Sequence, residues 1–165
     1  MTLTKFERLL LVNQFRILEK LDADGSHYEE WIEALTNGYE LHYPDFSQWI
    51  FDETMTEADC EEIIDALSKF ESIKYSVRDM AEKPTCEPYK MVFDGYDGNN
   101  EGKLMCYAEY YCKHDGGRFS SLEIKDFNSH AARRDRYARM VAAWGQSADK
   151  HKLTKADVER IAATR

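Results

Sequence analysis

Three threonines, each followed three residues later by an acidic residue, precede stretches in which apolar residues recur at helical spacing. The pairs are Thr4 with Glu7, Thr56 with Asp59, and Thr154 with Asp157. In such a pair the threonine oxygen and the carboxylate accept hydrogen bonds from free backbone amides at the start of a helix. The chain is therefore constrained to begin helices at these three points.

The spacing of apolar residues extends this prediction to an all-α fold. After Thr4 the positions on or beside one helical face are Phe6, Leu9, Leu10, Asn13, Ile17 and Leu21. A second helix opens at Ser26, presents a face from Tyr28 to Tyr39, and is stopped by Pro44. The longest periodic stretch runs from Thr56 to about Val77.

Two further helices are predicted over about 100–113 and 131–144, and the last begins after Thr154. No alternating pattern is long enough to predict a sheet. Irregular loops are expected around residues 81–99 and 114–130, where glycine, proline and asparagine are frequent. We therefore predict one compact domain covering residues 1–165, built from about six or seven helices.

Composition and charge exclude several classes of protein. The 165 residues are 43% apolar and 13% aromatic, so a buried core is expected rather than disorder. No run approaches the roughly 18 apolar residues of a membrane helix, and the N-terminus does not resemble a signal peptide. The four cysteines form no CxxC pair, which favours reduced thiols and a cytoplasmic location. We expect no cofactor.

Charge is distributed unevenly along the chain, whose net charge is −9. Residues 1–102 hold 9 Lys and Arg against 23 Asp and Glu, whereas residues 103–165 hold 13 against 8. General affinity for nucleic acid is not expected, because phosphate binding depends on basic contacts. The basic end either pairs with acidic residues, within or between subunits, or forms a local anion-binding face.

Several segments in register resemble the YfbU family of bacterial proteins. They are Glu7–Asp22, Gly38–Glu40, Phe93–Glu101, Phe127–His130 with Tyr137, Met140 and Trp144, and Leu153–Thr154. The order and spacing fit from about residue 3 to residue 162. The resemblance implies a helical, cytoplasmic, self-associating protein, and it brings no catalytic residues with it.

His130 is the residue that best suits a catalytic hypothesis. With Arg118, Arg133 and Arg134 it could act as a general acid–base while the arginines hold a phosphate, as in a metal-independent ribonuclease. The simpler interpretation is that Asn128 or Ser129 caps the following helix and that the arginines pair with acidic residues of the N-terminal part.

A second hypothesis concerns calcium at Asp97, Asn99 and Glu101. These residues and Gly102 match the first, third, fifth and sixth positions of an EF-hand loop. The twelfth position requires a bidentate glutamate and holds Ala108 instead. The pattern fails at that essential position, so we predict no metal site and keep calcium as the alternative.

Polar residues at three places in the sequence could form one pocket. Asn13 and Gln14 interrupt the apolar face of the first helix, where a buried amide pair would satisfy backbone groups or fix helix register. The alternative is that they line a small polar pocket together with residues of the 94–101 loop and Asn128. The full candidate set is Asn13, Gln14, Asp94, Asp97, Asn99, Asn100, Glu101, Asn128, Ser129 and His130.

The density of tyrosines favours self-association. Tyr107, Tyr110 and Tyr111 place more aromatic surface on one helix than a single face can bury, so Tyr107 and Tyr110 are expected to meet a partner subunit. Since no catalytic motif is complete, we predict a non-enzymatic, homo-oligomeric interaction or regulatory module. The phosphate-directed enzyme stays open as the alternative.

Overall fold

The computed structural model describes residues 2–21, 28–48, 50, 54–114 and 116–164. Every regular element among them is a helix, apart from one isolated bridge between Tyr96 and Asn128, which confirms the all-α prediction. The chain divides into a first unit, residues 1–54, and a second unit, residues 55–165. The single-domain prediction stays a prediction. The predicted cap at Ser26 and the helix end at residues 22–25 lie outside the described residues.

In the first unit, helices α1 (Lys5–Leu21) and α2 (Tyr28–Asn37) pack together beside a 3-10 helix, Glu40–Phe46. The predicted cap of α1 is present: the Glu7 amide donates to Thr4 Oγ1 at 3.2 Å, and the Thr4 amide donates to Glu7 Oε2 at 2.7 Å. Buried Val12, Leu35, Tyr43 and Phe46 form the core, and the half-buried rings of Phe15 and Trp31 pack against it.

Helix α2 ends at Asn37, before the predicted stop at Pro44. Gly38 adopts a φ of +76°, the left-handed conformation that terminates helices. The Arg8 guanidinium, which donates to the Leu35 carbonyl at 3.0 Å, lies 3.0 Å from where a Cβ of residue 38 would be. The prediction that Pro44 stops α2 was wrong, because Pro44 lies within the separate 3-10 helix.

In the second unit, α3 (Glu57–Asp79) is the central element, and it packs against α4 (Gly102–His114), α5 (Arg134–Gly145) and α6 (Lys155–Ala163). Two 3-10 helices, Pro88–Met91 and Ser120–Leu122, interrupt the predicted irregular loops. Thr56 caps α3 and Thr154 forms a complete capping box on α6, as predicted.

The core of the second unit is a continuous cluster of buried side chains. Phe70, Phe93, Tyr96 and Tyr137 contact one another with ring centroids 5.1–5.8 Å apart. Leu67, Ile73, Met140, Val158 and Ile161 fill the space around them. All four cysteines are free thiols, as expected from their spacing. None of the described helices is both long and apolar enough to cross a membrane.

Candidate functional site

Two of the three predicted polar segments meet in the second unit. The Tyr96 amide donates to the Phe127 carbonyl at 2.9 Å, and the Ser129 amide donates to the Tyr96 carbonyl at 3.0 Å. Gly95, with a φ of +90°, permits this approach, because a Cβ there would lie 2.1 Å from the Phe127 oxygen. We call residues 94–101 and 127–134 together the loop junction.

Asn128 ties the two segments of the loop junction together through its side chain. Its Oδ1 accepts the amide of Gly98 and the amide of His130, each at 3.0 Å. His130 has a φ of +53°, and its side chain is exposed. Ser129 donates its hydroxyl to the Ala131 carbonyl at 2.7 Å. Both side chains are therefore used within the loop, so the prediction that Asn128 or Ser129 caps α5 was wrong.

Glu101 performs that capping from another segment of the chain. Its carboxylate accepts the amides of Arg133 and Arg134 at 2.9–3.0 Å, and also the amide of Asp97 at 3.0 Å. A carboxylate at this place is favourable for the α5 dipole as well as for the unpaired amides. Because these amides are satisfied at residues 133 and 134, α5 begins at Arg134, three residues after the predicted start.

The carboxylates proposed for calcium point at hydrogen-bond donors. Asp97 is buried; its Oδ1 accepts the Asn99 amide at 3.0 Å and its Oδ2 accepts the Asn100 side-chain amide at 2.5 Å. These bonds, with a contribution from the charge of His130, lower the pKa of Asp97. Among the described residues no three metal-ligating side chains converge. The loop is thus organised by its own amides.

Two of the three arginines of the catalytic hypothesis are paired with acidic groups. Arg133 pairs with Asp94 at 2.9 Å, and Arg134 with Asp59 and Glu62 of α3 at 2.5 and 2.7 Å. The predicted pairing of these arginines with the acidic N-terminal part is therefore present within the second unit.

Arg118 has other neighbours. Its guanidinium donates to the Tyr111 hydroxyl at 3.3 Å and lies 5.0 Å from the centre of the Phe119 ring. No contact found among the described residues joins Arg118 to His130.

Asn13 and Gln14 are exposed on α1 in the first unit. The expectation that they are buried was wrong, because α1 turns Arg8, Val12 and Phe15 toward α2 and presents the opposite side outward. That opposite side is apolar. The exposed side chains of Phe6, Leu9, Leu10, Ile17, Leu18 and Leu21 form what we call the outer face of α1.

One lysine is buried that the sequence analysis did not single out. Lys69 on α3 is fully buried; its Nζ lies 3.4 Å from the centre of the Phe70 ring, 4.7 Å from that of Tyr137, and 3.6 Å from Met140 Sδ. Burial holds the pKa of Lys69 well below its usual value, and the charge of Arg136 adds to this. Asp94 opposes the shift. Lys69 lies beside the apolar face of α3, and that position is the only sequence signal of its burial.

Tyrosine side chains near Lys69 are also deeply buried. The Tyr137 hydroxyl donates to Asp94 Oδ1, and burial raises the pKa of this phenol, with the Asp94 bond adding to the shift. The Tyr96 hydroxyl is buried without a hydrogen-bond partner among the described residues, and its pKa is raised as well. These groups are enclosed in the core rather than open to a substrate.

Comparison with known proteins gives consistent results along the whole chain. A family model described as "YfbU domain" matches residues 1–164. The UPF0304 protein MJECS11 of Methanocaldococcus jannaschii is 33% identical over 149 residues, which cover 86% of this chain and 87% of that protein. UPF0304 proteins of Histophilus somni and Pasteurella multocida are 23% and 22% identical, each over 98% of both chains. Since Methanocaldococcus is archaeal, the bacterial range that the resemblance implied was too narrow.

Proposed function

Since the chain belongs to the YfbU domain family, we propose that it is a non-enzymatic, homo-oligomeric interaction module that associates through the outer face of α1. The observation that carries this proposal is the exposure of that face, where Phe6 is 67% and Leu21 78% accessible. Large contiguous apolar patches are rare on proteins that work as monomers. Complete burial of one such side chain contributes about 1.5–3 kcal/mol.

The order of residues on the outer face suits a second copy of the same chain. Its apolar residues form pairs equidistant from the peptide bond that joins Asn13 and Gln14. These pairs are Phe6 with Leu21, Leu9 with Leu18, and Leu10 with Ile17. An antiparallel copy of α1 would therefore place apolar residues opposite apolar residues along its whole length. Such self-complementarity is what a two-fold interface requires.

Asn13 and Gln14 would lie at the centre of this interface. In an antiparallel pair of helices, the two amide side chains meet their counterparts near the two-fold axis. A single polar position in an apolar seam fixes register and association state at some cost in stability. The amides would thus select this alignment over one shifted by a helical turn.

The test is sedimentation equilibrium of wild type and of Leu10→Glu. We expect wild type to form dimers or higher even-numbered assemblies at micromolar concentration, and Leu10→Glu to be monomeric because it places two carboxylates in the seam. Leu41→Glu is the matched control: residue 41 is 85% exposed and lies outside α1, so association should be unchanged. Circular dichroism checks that each variant keeps its helix content.

Two outcomes would overturn the proposal. One is a wild-type chain that stays monomeric at high concentration, especially if Leu10→Glu also lowers its melting temperature, since the outer face would then be covered within the chain. The other is a Leu10→Glu variant that assembles as wild type does.

The phosphate-directed alternative gains no support from the contacts. Arg133 and Arg134 are neutralised by Asp94, Asp59 and Glu62, so neither guanidinium is available to hold a phosphate beside His130. Arg118 contacts Tyr111 and Phe119, whereas His130 contacts Asn128, and no residue in the described part of the chain is found in contact with both.

A further inference from the structure

A cavity of about 560 Å³ opens on the second unit, between α3 and the two predicted irregular loops. We call it the α3 cavity. Its apolar wall comes from Ile73, Val77, Met91, Phe93, Leu122 and Ile124. The volume is within the range of about 300–1,000 Å³ that is usual for small-molecule sites, which are mostly apolar with a few polar groups.

Four cations surround this apolar wall on a chain whose net charge is −9. Lys74 pairs with Glu123 at 3.3 Å, and Arg78 pairs with its neighbour Asp79 at 2.7 Å. Lys83 Nζ donates to the carbonyls of Val77 and Arg78 at the end of α3, at 2.6 and 3.1 Å. Each of these three cations is therefore already held by an acceptor.

Lys125 is the fourth cation, and within the described part of the chain it forms no ion pair. Its side chain is exposed at the edge of the cavity. The cavity thus combines a large apolar wall with a surplus of positive charge, and Lys125 is the cation that no acceptor among the described residues already holds. A ligand complementary to both needs an apolar body and a negatively charged head that reaches Lys125.

We propose that the α3 cavity binds a small amphiphile that carries one carboxylate, with its chain or ring on the apolar wall and its carboxylate at Lys125. This site lies wholly in the second unit, so it goes beyond the self-association proposed for α1. The shared chemistry of the class is a monocarboxylate on a hydrocarbon body. A dianionic head is less suitable, because Glu123 also lines the cavity.

The first experiment titrates ¹⁵N-labelled protein with octanoate below its micelle concentration and follows the amide resonances. We expect saturable shifts in residues 73–78, 91–93 and 122–125. Two matched probes separate the contributions of chain and charge: 1-octanol keeps the chain without the charge, and acetate keeps the charge without the chain. Both should bind more weakly than octanoate, and added salt should weaken octanoate but not octanol.

Variants then locate each end of the ligand. Lys125→Glu should weaken octanoate roughly fivefold and leave octanol unchanged, as an exposed ion pair contributes about 0.2–1 kcal/mol and the new charge repels. Lys152→Glu makes the same charge change at an exposed lysine outside the cavity and should have no effect. Val92 also lines the cavity and is half-exposed, so Val92→Ser should weaken both octanoate and octanol about threefold to fourfold.

The proposal is overturned if octanoate gives no saturable shifts, or if the shifts appear on the outer face of α1 instead of around the α3 cavity. It is also overturned if Lys125→Glu and Lys152→Glu weaken octanoate equally, since the effect would then reflect overall charge. Retained shift dispersion in the spectrum of each free variant shows that the fold is intact.

Discussion

The first and second units differ in how many of their large apolar side chains are exposed. Of the large apolar side chains that the structure describes as exposed, nine belong to residues 1–54 and four to residues 55–165, and three of those four are tyrosines. The second unit buries a continuous core around α3, whereas the first buries little beyond Val12, Leu35, Tyr43 and Phe46. A region that leaves this much hydrocarbon uncovered gains stability when another surface covers it.

The two units also differ in net charge. The first holds 4 Lys and Arg against 11 Asp and Glu, and the second 18 against 20. In the second unit, acidic and basic residues pair across elements, as Arg134 does with Asp59 and Glu62. The comparison teaches that the second unit combines a large buried core with nearly balanced charge, while the first combines exposed apolar surface with a surplus of negative charge.

The largest effect should come from truncating the core of the second unit. Phe70 is fully buried and contacts Phe93 and Tyr137, so Phe70→Ala should lower the free energy of unfolding by about 3–5 kcal/mol. Leu41→Ala, at a residue 85% exposed in the first unit, should change it by less than about 0.5 kcal/mol. Urea denaturation measures both. Equal losses would contradict the contrast between the units.

Lys69→Met should stabilise the second unit by on the order of 1–3 kcal/mol, because it removes a buried amine that lacks a strong acceptor. The pKa of Lys69 is lowered in the fold, and unfolding returns it toward 10.5. The unfolded chain therefore takes up a proton below pH 10.5, so wild-type stability should rise with pH between the folded-state pKa and 10.5.

In Lys69→Met this component of the pH dependence should disappear, which denaturation at several alkaline pH values will show. Lys152→Met, at an exposed lysine, should keep the wild-type slope. A Lys69→Met variant that is less stable than wild type, with the slope retained, would mean that the ammonium is charged and well solvated in the fold.

Removing the cap of α5 should have the next largest effect. Glu101→Ala leaves the amides of Arg133 and Arg134 without their acceptor and should cost about 1–2 kcal/mol. Hydrogen exchange should then accelerate in the first turn of α5 and at Asp97 before it changes elsewhere. Glu61→Ala, at an exposed residue of α3, is the control. Unchanged protection at residues 133 and 134 would argue against this capping.

Added salt should have the smallest effect, which we expect on the proposed self-association through the first unit. Because that unit carries surplus negative charge, raising NaCl from about 50 to 500 mM should screen the repulsion between copies and lower the dissociation constant roughly threefold. Sedimentation equilibrium at both concentrations measures the change. Weaker association at high salt would indicate that ion pairs, rather than the outer face of α1, hold the copies together.

What the sequence predicts well is local. The caps at Thr4, Thr56 and Thr154 depend on residues three positions apart, and all three are present. Pro44 was predicted to stop α2, although Gly38 is the local signal that ends it, because aromatic residues continue at near-helical spacing into the 3-10 helix. Sequence periodicity does not distinguish the two kinds of helix over one turn.

What the sequence does not predict depends on distant residues. Glu101 caps a helix 32 residues later, and its spacing from Asp97 suggested a calcium loop instead. Lys69 lies at the edge of the apolar face of α3, and it is the packing of Met140 and Tyr137 from α5 that buries it. The exposure of Asn13 and Gln14 follows from which side of α1 meets α2. A single-helix pattern leaves that side undetermined when both sides are apolar.

Gly95 has a consequence for how sequences of this family can diverge. A side chain at that position would collide with the Phe127 carbonyl. A substitution of Gly95 is therefore neutral only if a further change in the same lineage moves the backbone around residue 127 away. The two loops are therefore expected to change together in evolution. Selection should tolerate change at exposed Asn99, which binds Asp97 through its backbone amide, far more readily than at residue 95. A library of single substitutions, sorted for folded protein, would measure that difference in tolerance directly.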